Sequence, residues 1–287
     1  MIAHQQRTRA LVVLAVAALA AAAGCQGATD TSRSATNPST STTSTSAPLS
    51  TGPVGNPWPQ IGTAPSEHHT ILLMGDSLMG GTALTLPGVL TAHGFDAVVY
   101  DAHVNGSGLL DPMNGHFAQD YLALQLQAHP DVDTVIFQWA GVCDDVCSAD
   151  ALAYGSPEFF AAWQAAASDL IHDARLHGLK VVWAISPPPP PDPRGDVPVE
   201  DWSSQAMRVF VTTLAAAYER NYPADFGVTT ADWWQALSDT HGRWQESLWY
   251  DDAVHAVRAP DRVHLTEDGS TRTSTWTTAA LATLYEH

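Results

Sequence analysis

The chain has a single lysine, Lys180, and few cations of any kind: 12 Lys and Arg against 30 Asp and Glu, for a formal net charge of -18. A surface this negative repels phosphate backbones and anionic headgroups, which excludes nucleic acid and direct adsorption to anionic membranes. Long apolar runs are also missing. The longest, Ala10–Ala23, has fourteen residues, short of the roughly 20 that cross a bilayer as a helix. Cysteine is scarce, three residues in all, and none has Cys or His companions at the spacing of a zinc site. Nothing in the sequence requires a metal or an organic cofactor. What the chain does have is apolar surface, 45% hydrophobic residues with ten tryptophans, enough for the core of one domain.

Arg7 and Arg9 precede the apolar run, and Ala22-Ala23-Gly24-Cys25 closes it. A basic start, a short apolar core and a small-residue end describe a secretory signal. The ending resembles a bacterial lipobox, which implies that Cys25 is diacylated and becomes the first residue of a protein held at the outer face of the cell membrane. Ala22 stands where such boxes usually carry Leu, and the alternative is an ordinary cleaved signal with an incidental cysteine. Removal of Arg7 and Arg9 takes the net charge from -18 to -20. Residues 26–67 are rich in Ser, Thr, Ala, Pro and Gly, a composition that cannot bury enough surface to offset its ordering entropy. They are expected to be a flexible tether that carries one folded domain, residues 68–287, beyond the membrane surface.

Within that domain, strand-length apolar runs occur at Thr70–Met74, Ala97–Tyr100, Thr134–Trp139, Lys180–Ile185 and, less clearly, Phe226–Thr229. Helical patterns lie between them. Ser156-Pro157-Glu158 opens one with a capping serine and a proline at the first position, and Phe160, Trp163, Ala167, Leu170 and Ile171 follow at helical spacing up to Gly178. Others are expected over about 200–220 and 270–285. Strands alternating with amphipathic helices predict an α/β fold with a parallel sheet and helices on both faces, its site at the carboxyl ends of the strands. Cys143 and Cys147, four residues apart, are a disulfide candidate in an oxidising compartment; a metal site is the rival reading, with Asp144 and Asp145 between them.

Two short stretches carry chemistry. In Met74-Gly75-Asp76-Ser77-Leu78 a strand breaks at a glycine and a serine follows where a helix begins. The helix N-terminus there offers unpaired N–H groups to a developing oxyanion; plain helix capping is the competing explanation. In Asp261-Arg262-Val263-His264-Leu265-Thr266 an aspartate three residues before a histidine can fold back to imidazole Nδ1 and leave Nε2 free to take a serine proton. Asp252-Ala253-Val254-His255 has the same spacing, but only His264 is followed by Leu-Thr and then by Gly269 ahead of the last helix.

Together these two blocks resemble the SGNH/GDSL hydrolases, and they bracket almost the whole domain. The resemblance implies a three-layer α/β/α sandwich with a flavodoxin-like parallel sheet. It implies Ser77 as nucleophile, His264 as base and Asp261 as its orienter, with the N–H of Ser77 as one oxyanion donor. A second N–H comes in this family from a glycine after the second strand. Gly106 in His103-Val104-Asn105-Gly106-Ser107-Gly108 fits best, with Gly108 as fallback. The chain departs from the family at the third block, where Gly-x-Asn-Asp is expected and Trp139-Ala140-Gly141-Val142-Cys143-Asp144-Asp145 stands. Val142 or Cys143 takes the asparagine place according to register, and neither offers an amide. Asn105 is a candidate substitute. The proline run Pro187–Pro191 is either a wall of the cleft or a spacer.

The function so implied is an exported serine esterase that hydrolyses an acyl ester through an acyl-enzyme, with a short acyl group on an envelope carbohydrate as the favoured substrate and lipid esters open. Two alternatives stand beside it. One is an acyltransferase that uses the same triad on an envelope polysaccharide; the other is a glycan-binding lipoprotein that has lost its oxyanion hole.

Overall fold

The computed structural model describes residues 52–139, 156–190, 202–221 and 227–286. Cys25, Cys143, Cys147 and the third-block residues after Trp139 lie outside them, as do Pro191 and Phe226.

Five parallel strands form the central sheet: β1 (His69–Gly75), β2 (Ala97–Asp101), β3 (Thr134–Gln138), β4 (Lys180–Ala184) and β5 (Val228–Ala231), in the order β2-β1-β3-β4-β5. The strands are apolar because both faces are covered. Helices α2 (Ala118–Ala128), α3 (Pro157–Leu176) and α4 (Trp202–Asn221) pack on one face around Phe137, Trp163 and Trp183. Helices α1 (Ser77–Ala92), α5 (Trp233–Ala236) and α6 (Glu267–Tyr285) pack on the other around Ile71, Leu73, Ile136 and Trp233. This is the three-layer α/β/α sandwich with flavodoxin-like strand order. Its switch point, between β1 and β3, is where a doubly wound sheet opens a crevice. No helix among the described residues is long and apolar enough to cross a membrane.

Three details differ from expectation. The last helix starts at Glu267 rather than near residue 270, because Thr266 Oγ1 accepts the Gly269 N–H at 3.1 Å and caps it. A short hairpin, β6 (Ser247–Tyr250) with β7 (Ala253–Ala256), precedes it, turning on Asp251 and Asp252 with both φ positive. That is the type I′ arrangement a two-residue hairpin turn favours. Residues 52–67, expected to be free tether, run along the domain instead. Gly55 N–H of this strap donates to the Trp249 carbonyl of the hairpin, and Trp249 N–H donates to the Pro53 carbonyl. Asn56 Nδ2 donates to the carbonyl of Gln235, and Trp58 Nε1 donates to the Asp251 carboxylate at 3.0 Å. The Ser/Thr/Pro composition hides Trp58, whose ring lies 4.6 Å from the buried Arg272 guanidinium; Tyr250 and Trp276 complete a three-ring cage around that cation. This large aromatic side chain packs against the core together with Ile61 and Ala64.

The contact between α1 and α6 decides where the site's two halves meet. Thr82 and Thr273 hydroxyls are 2.7 Å apart, as are Thr85 and Ser274, in a buried ladder between the helices. Ser77 opens α1 and His264 lies just before α6, so this ladder sets their separation.

Candidate active site

Gly75 ends β1 because a Cβ there would lie 2.2 Å from the Gln138 carbonyl on the neighbouring strand. Asp76 then caps α1: its Oδ1 accepts the Leu78 N–H at 2.8 Å, and its Oδ2 accepts from Gln138 Nε2 at 3.3 Å. Gln138 also donates to Ser186 Oγ, which in turn donates to the Trp139 carbonyl. So the turn before Ser77 is buttressed by the ends of β3 and β4. Ser77 is the first residue of α1, where the backbone N–H groups have no carbonyl partner within the helix.

The second stretch folds on itself. Asp261 Oδ1 accepts the N–H groups of Val263 and His264 at 3.0 and 2.9 Å, while its Oδ2 lies 2.6 Å from His264 Nδ1. A carboxylate only accepts, so Nδ1 donates in this contact and Nε2 is the ring atom left to face Ser77. That atom is 2.9 Å from Ser77 Oγ. The His264 hydrogen bond, followed by the two backbone N–H groups, pulls the Asp261 carboxyl down to about 2, so it is ionised throughout the neutral range. The histidine and aspartate side chains are 49% and 51% exposed, so the pair is open to solvent. Arg262, between them, has φ of 68°, a left-handed conformation that is strained for a residue with a Cβ. Its guanidinium stacks on Trp244 at 4.8 Å.

Glycines let other elements close on this pair. A Cβ at Gly269 would meet the Val257 carbonyl at 2.1 Å, so the first turn of α6 reaches its place only with glycine there. On α1 a Cβ at Gly80 would meet the His103 ring at 2.5 Å, and one at Gly81 would meet Ser270 Oγ at 2.9 Å. His103 is itself held by Asp101 at 2.7 Å. The loop after β2 and the start of α6 thus lean on adjacent glycines one turn beyond Ser77.

The competing pair does not form. His255 Nδ1 lies 3.1 Å from Asp268, not Asp252, and its ring stacks on Tyr250 at 4.1 Å. Asp252 occupies the hairpin turn, and a spacing of three along an extended strand puts two side chains on opposite faces. In the loop after β2, Val104 N–H and Ser107 Oγ both donate to the Gly75 carbonyl, at 2.8 and 3.4 Å. This fixes the Val104–Ser107 turn beside the end of β1 that leads to Ser77. Gly106 is exposed in that turn with φ of 70°, whereas Gly108 is buried and its N–H donates to the Asp111 carboxylate at 3.2 Å. Asn105 is exposed. No group of three or more metal-ligating side chains occurs among the described residues.

The sequence reading passed over Gln138, Ser186 and Arg258. Gln138 had a signal, as the polar member of the buried strand run Thr134–Trp139. Arg258, which reaches back into its own loop, had none.

Residues 70–277 match a family described as a protein of unknown function, DUF459. No curated protein matches the sequence. Among solved structures, similar chains include a GDSL-like lipase from Bacteroides thetaiotaomicron (13% identity, 76% of this chain and 87% of that one, TM-score 0.45). The esterase EstA of a Pseudoalteromonas species (14%, 76% and 100%, 0.46) is another.

Proposed function

The chain belongs to the DUF459 family, and we propose that it is a serine esterase of the SGNH/GDSL type. The observation that carries the proposal is the hydrogen-bonded series Asp261–His264–Ser77, at the carboxyl end of β1. Ser77 Oγ attacks the ester carbonyl as its proton passes to His264 Nε2, and Asp261 stabilises the imidazolium that results. In this reading the N–H groups of Ser77 and Gly106 donate to the developing oxyanion, aided by the positive end of α1. Collapse expels the alcohol, which takes the proton from His264. Water, deprotonated by the same imidazole, then releases the acid and restores Ser77.

The substrate we favour is a short acyl ester on an envelope carbohydrate. That choice rests on the export signal, on the Cys25 anchor with its tether, and on a relay half open to solvent, where a bulky alcohol can approach. Lipid ester and acyl transfer are the competing substrates and outcomes.

A fluorophosphonate probe with peptide mapping tests the proposal. Covalent label on Ser77 in the wild type, absent from Ser77→Ala and His264→Ala, is the expected result; an unlabelled wild-type protein rules the esterase out. A short acyl ester of a sugar and an activated ester are then supplied together. Free acid as the sole product supports hydrolysis, and acylated sugar identifies a transferase. Cys25→Ala tests the anchor by moving the protein from membrane to medium.

A further inference from the structure

Arg258 is a buried cation beside the site that the chemistry above does not use. It follows β7, is 4% exposed, and pairs with no carboxylate among the described residues. Its Nη1 donates to the Val263 carbonyl at 2.8 Å, and its Nη2 donates to the Pro188 carbonyl at 3.3 Å, while Nε is buried without a partner. Val263 lies between Asp261 and His264; Pro188 lies in the proline loop that leaves β4 at the carboxyl edge of the sheet. The main chain closes the same loop: Ala259 N–H donates to the His264 carbonyl and Arg262 N–H to the Ala259 carbonyl, each at 2.8 Å, and Arg258 pairs with Leu265.

A buried cation with no carboxylate in salt-bridge contact is an expensive way to stabilise a fold. Desolvation of such a group is costly and is recovered only where its hydrogen bonds are well placed. Burial does push the guanidinium down, to about 10, with the Asp261 carboxylate pulling it back up; it is charged at neutral pH. What the guanidinium provides is a planar fork that holds two carbonyls from separate segments at once.

We propose that Arg258 is a positioning residue that fastens the Asp261–His264 loop to the proline loop and so fixes the His264 ring in line with Ser77. It also gives the proline run a purpose, since a rigid polyproline segment makes a firm anchor for the far end of the fork. The catalytic part of this inference rests on the esterase reading, and the positioning part does not.

The test compares Arg258→Met, which keeps length and volume but loses the fork, with Arg258→Lys, which keeps the charge but cannot span both carbonyls. The downfield NMR signal of the His264 Nδ1 proton, which sits in the 2.6 Å contact with Asp261, reports ring placement without any substrate. Broadening or loss of that signal in both variants, with unchanged or higher Tm in Arg258→Met, is the expected result. With it kcat should fall about tenfold while KM stays within about twofold, as for a loss of alignment rather than of substrate binding. An unchanged proton signal, or a fall in kcat that merely follows a fall in Tm, overturns the proposal. If Arg258→Met does not fold, Arg258→Lys decides by the same signal. If the wild type hydrolyses no ester, the esterase reading fails while the proton signal still judges the positioning.

Discussion

The two sides of Ser77 are built differently. On the base side, Asp261 to His264 is a four-residue loop in which both carboxylate oxygens are used, the strained Arg262 is braced by Trp244, and Arg258 pins the middle. On the side where the proposal puts the oxyanion, the donors would come from two segments, the first turn of α1 and the Val104–Ser107 turn, tied through the Gly75 carbonyl and through the close approach of His103 to Gly80. A proton relay must hold one ring to a fraction of an ångström, so it is over-determined locally. An oxyanion hole needs only two N–H groups converging on one point, which separate loops can supply once the sheet has placed them. This contrast also explains why the base side tolerates a residue at positive φ: the surrounding bonds outweigh its strain.

The largest expected effect breaks the base side. Ser77→Ala and His264→Ala should each lower kcat/KM by about 10⁴-fold or more, and Asp261→Asn by about 10³–10⁴-fold, because the wrong tautomer then faces the serine. His255→Ala should stay within about twofold. Ester kinetics on the four variants check this, and full activity in His264→Ala would move the base elsewhere.

On the oxyanion side the sequence puts Val142 and Cys143 where the resembled family has an amide donor. Cys143→Asn should raise kcat toward the roughly hundredfold worth of one such donor, measured against Cys147→Ala, which removes any bridge without adding an amide. No gain from Cys143→Asn or from Val142→Asn would mean that the hole lacks nothing.

The paired glycines of α1 sharpen the comparison, since each faces a different side. Gly80→Ala must push His103 and the oxyanion loop away, and Gly81→Ala must displace Ser270 at the start of α6. We expect about a tenfold loss of kcat for either, the scale of a small misalignment. Gly88→Ala has nothing within 4 Å of its new methyl and should leave activity alone while stabilising the helix by up to about 1 kcal/mol. Equal effects at all three positions would show that helix propensity, not close approach, governs them.

The smallest effect is one of pH. The Asp261 carboxyl is depressed in the folded protein, to about 2 from 3.8, so its contribution to stability is present above the unfolded value and is lost as pH falls from about 4 through about 2. Asp261 is half exposed, so the contribution is modest. Tm of the wild type should drop more over that interval than Tm of Asp261→Asn; parallel curves would contradict the pairing.

Local chemistry was readable from the chain. Five strand runs, the capped helix after Ser156, the break at Gly75 and the short-range Asp261–His264 pair depend on residues within a turn or two of one another, where periodicity and hydrogen-bonding range act directly. The same range misleads at Asp252 and His255, because a spacing of three means contact in a tight loop and separation along a hairpin strand, and the spacing does not say which. It also misses Trp58, since composition averages over a strap in which a few residues, Gly55, Asn56 and Trp58 among them, make the attachment.

What only the tertiary structure decided is where distant segments meet. Ser77 and His264 are 187 positions apart, and their 2.9 Å contact follows from the hydroxyl ladder between α1 and α6. The glycines that admit His103, Ser270 and the Val257 carbonyl, and the Arg258 fork between two loops, belong with it. The sequence names the residues that hold protons, because protonation chemistry belongs to the side chain. It cannot name those that hold distances, because a distance belongs to the packing of two elements, and the same Thr, Gly or Arg serves many other purposes when its neighbour is different.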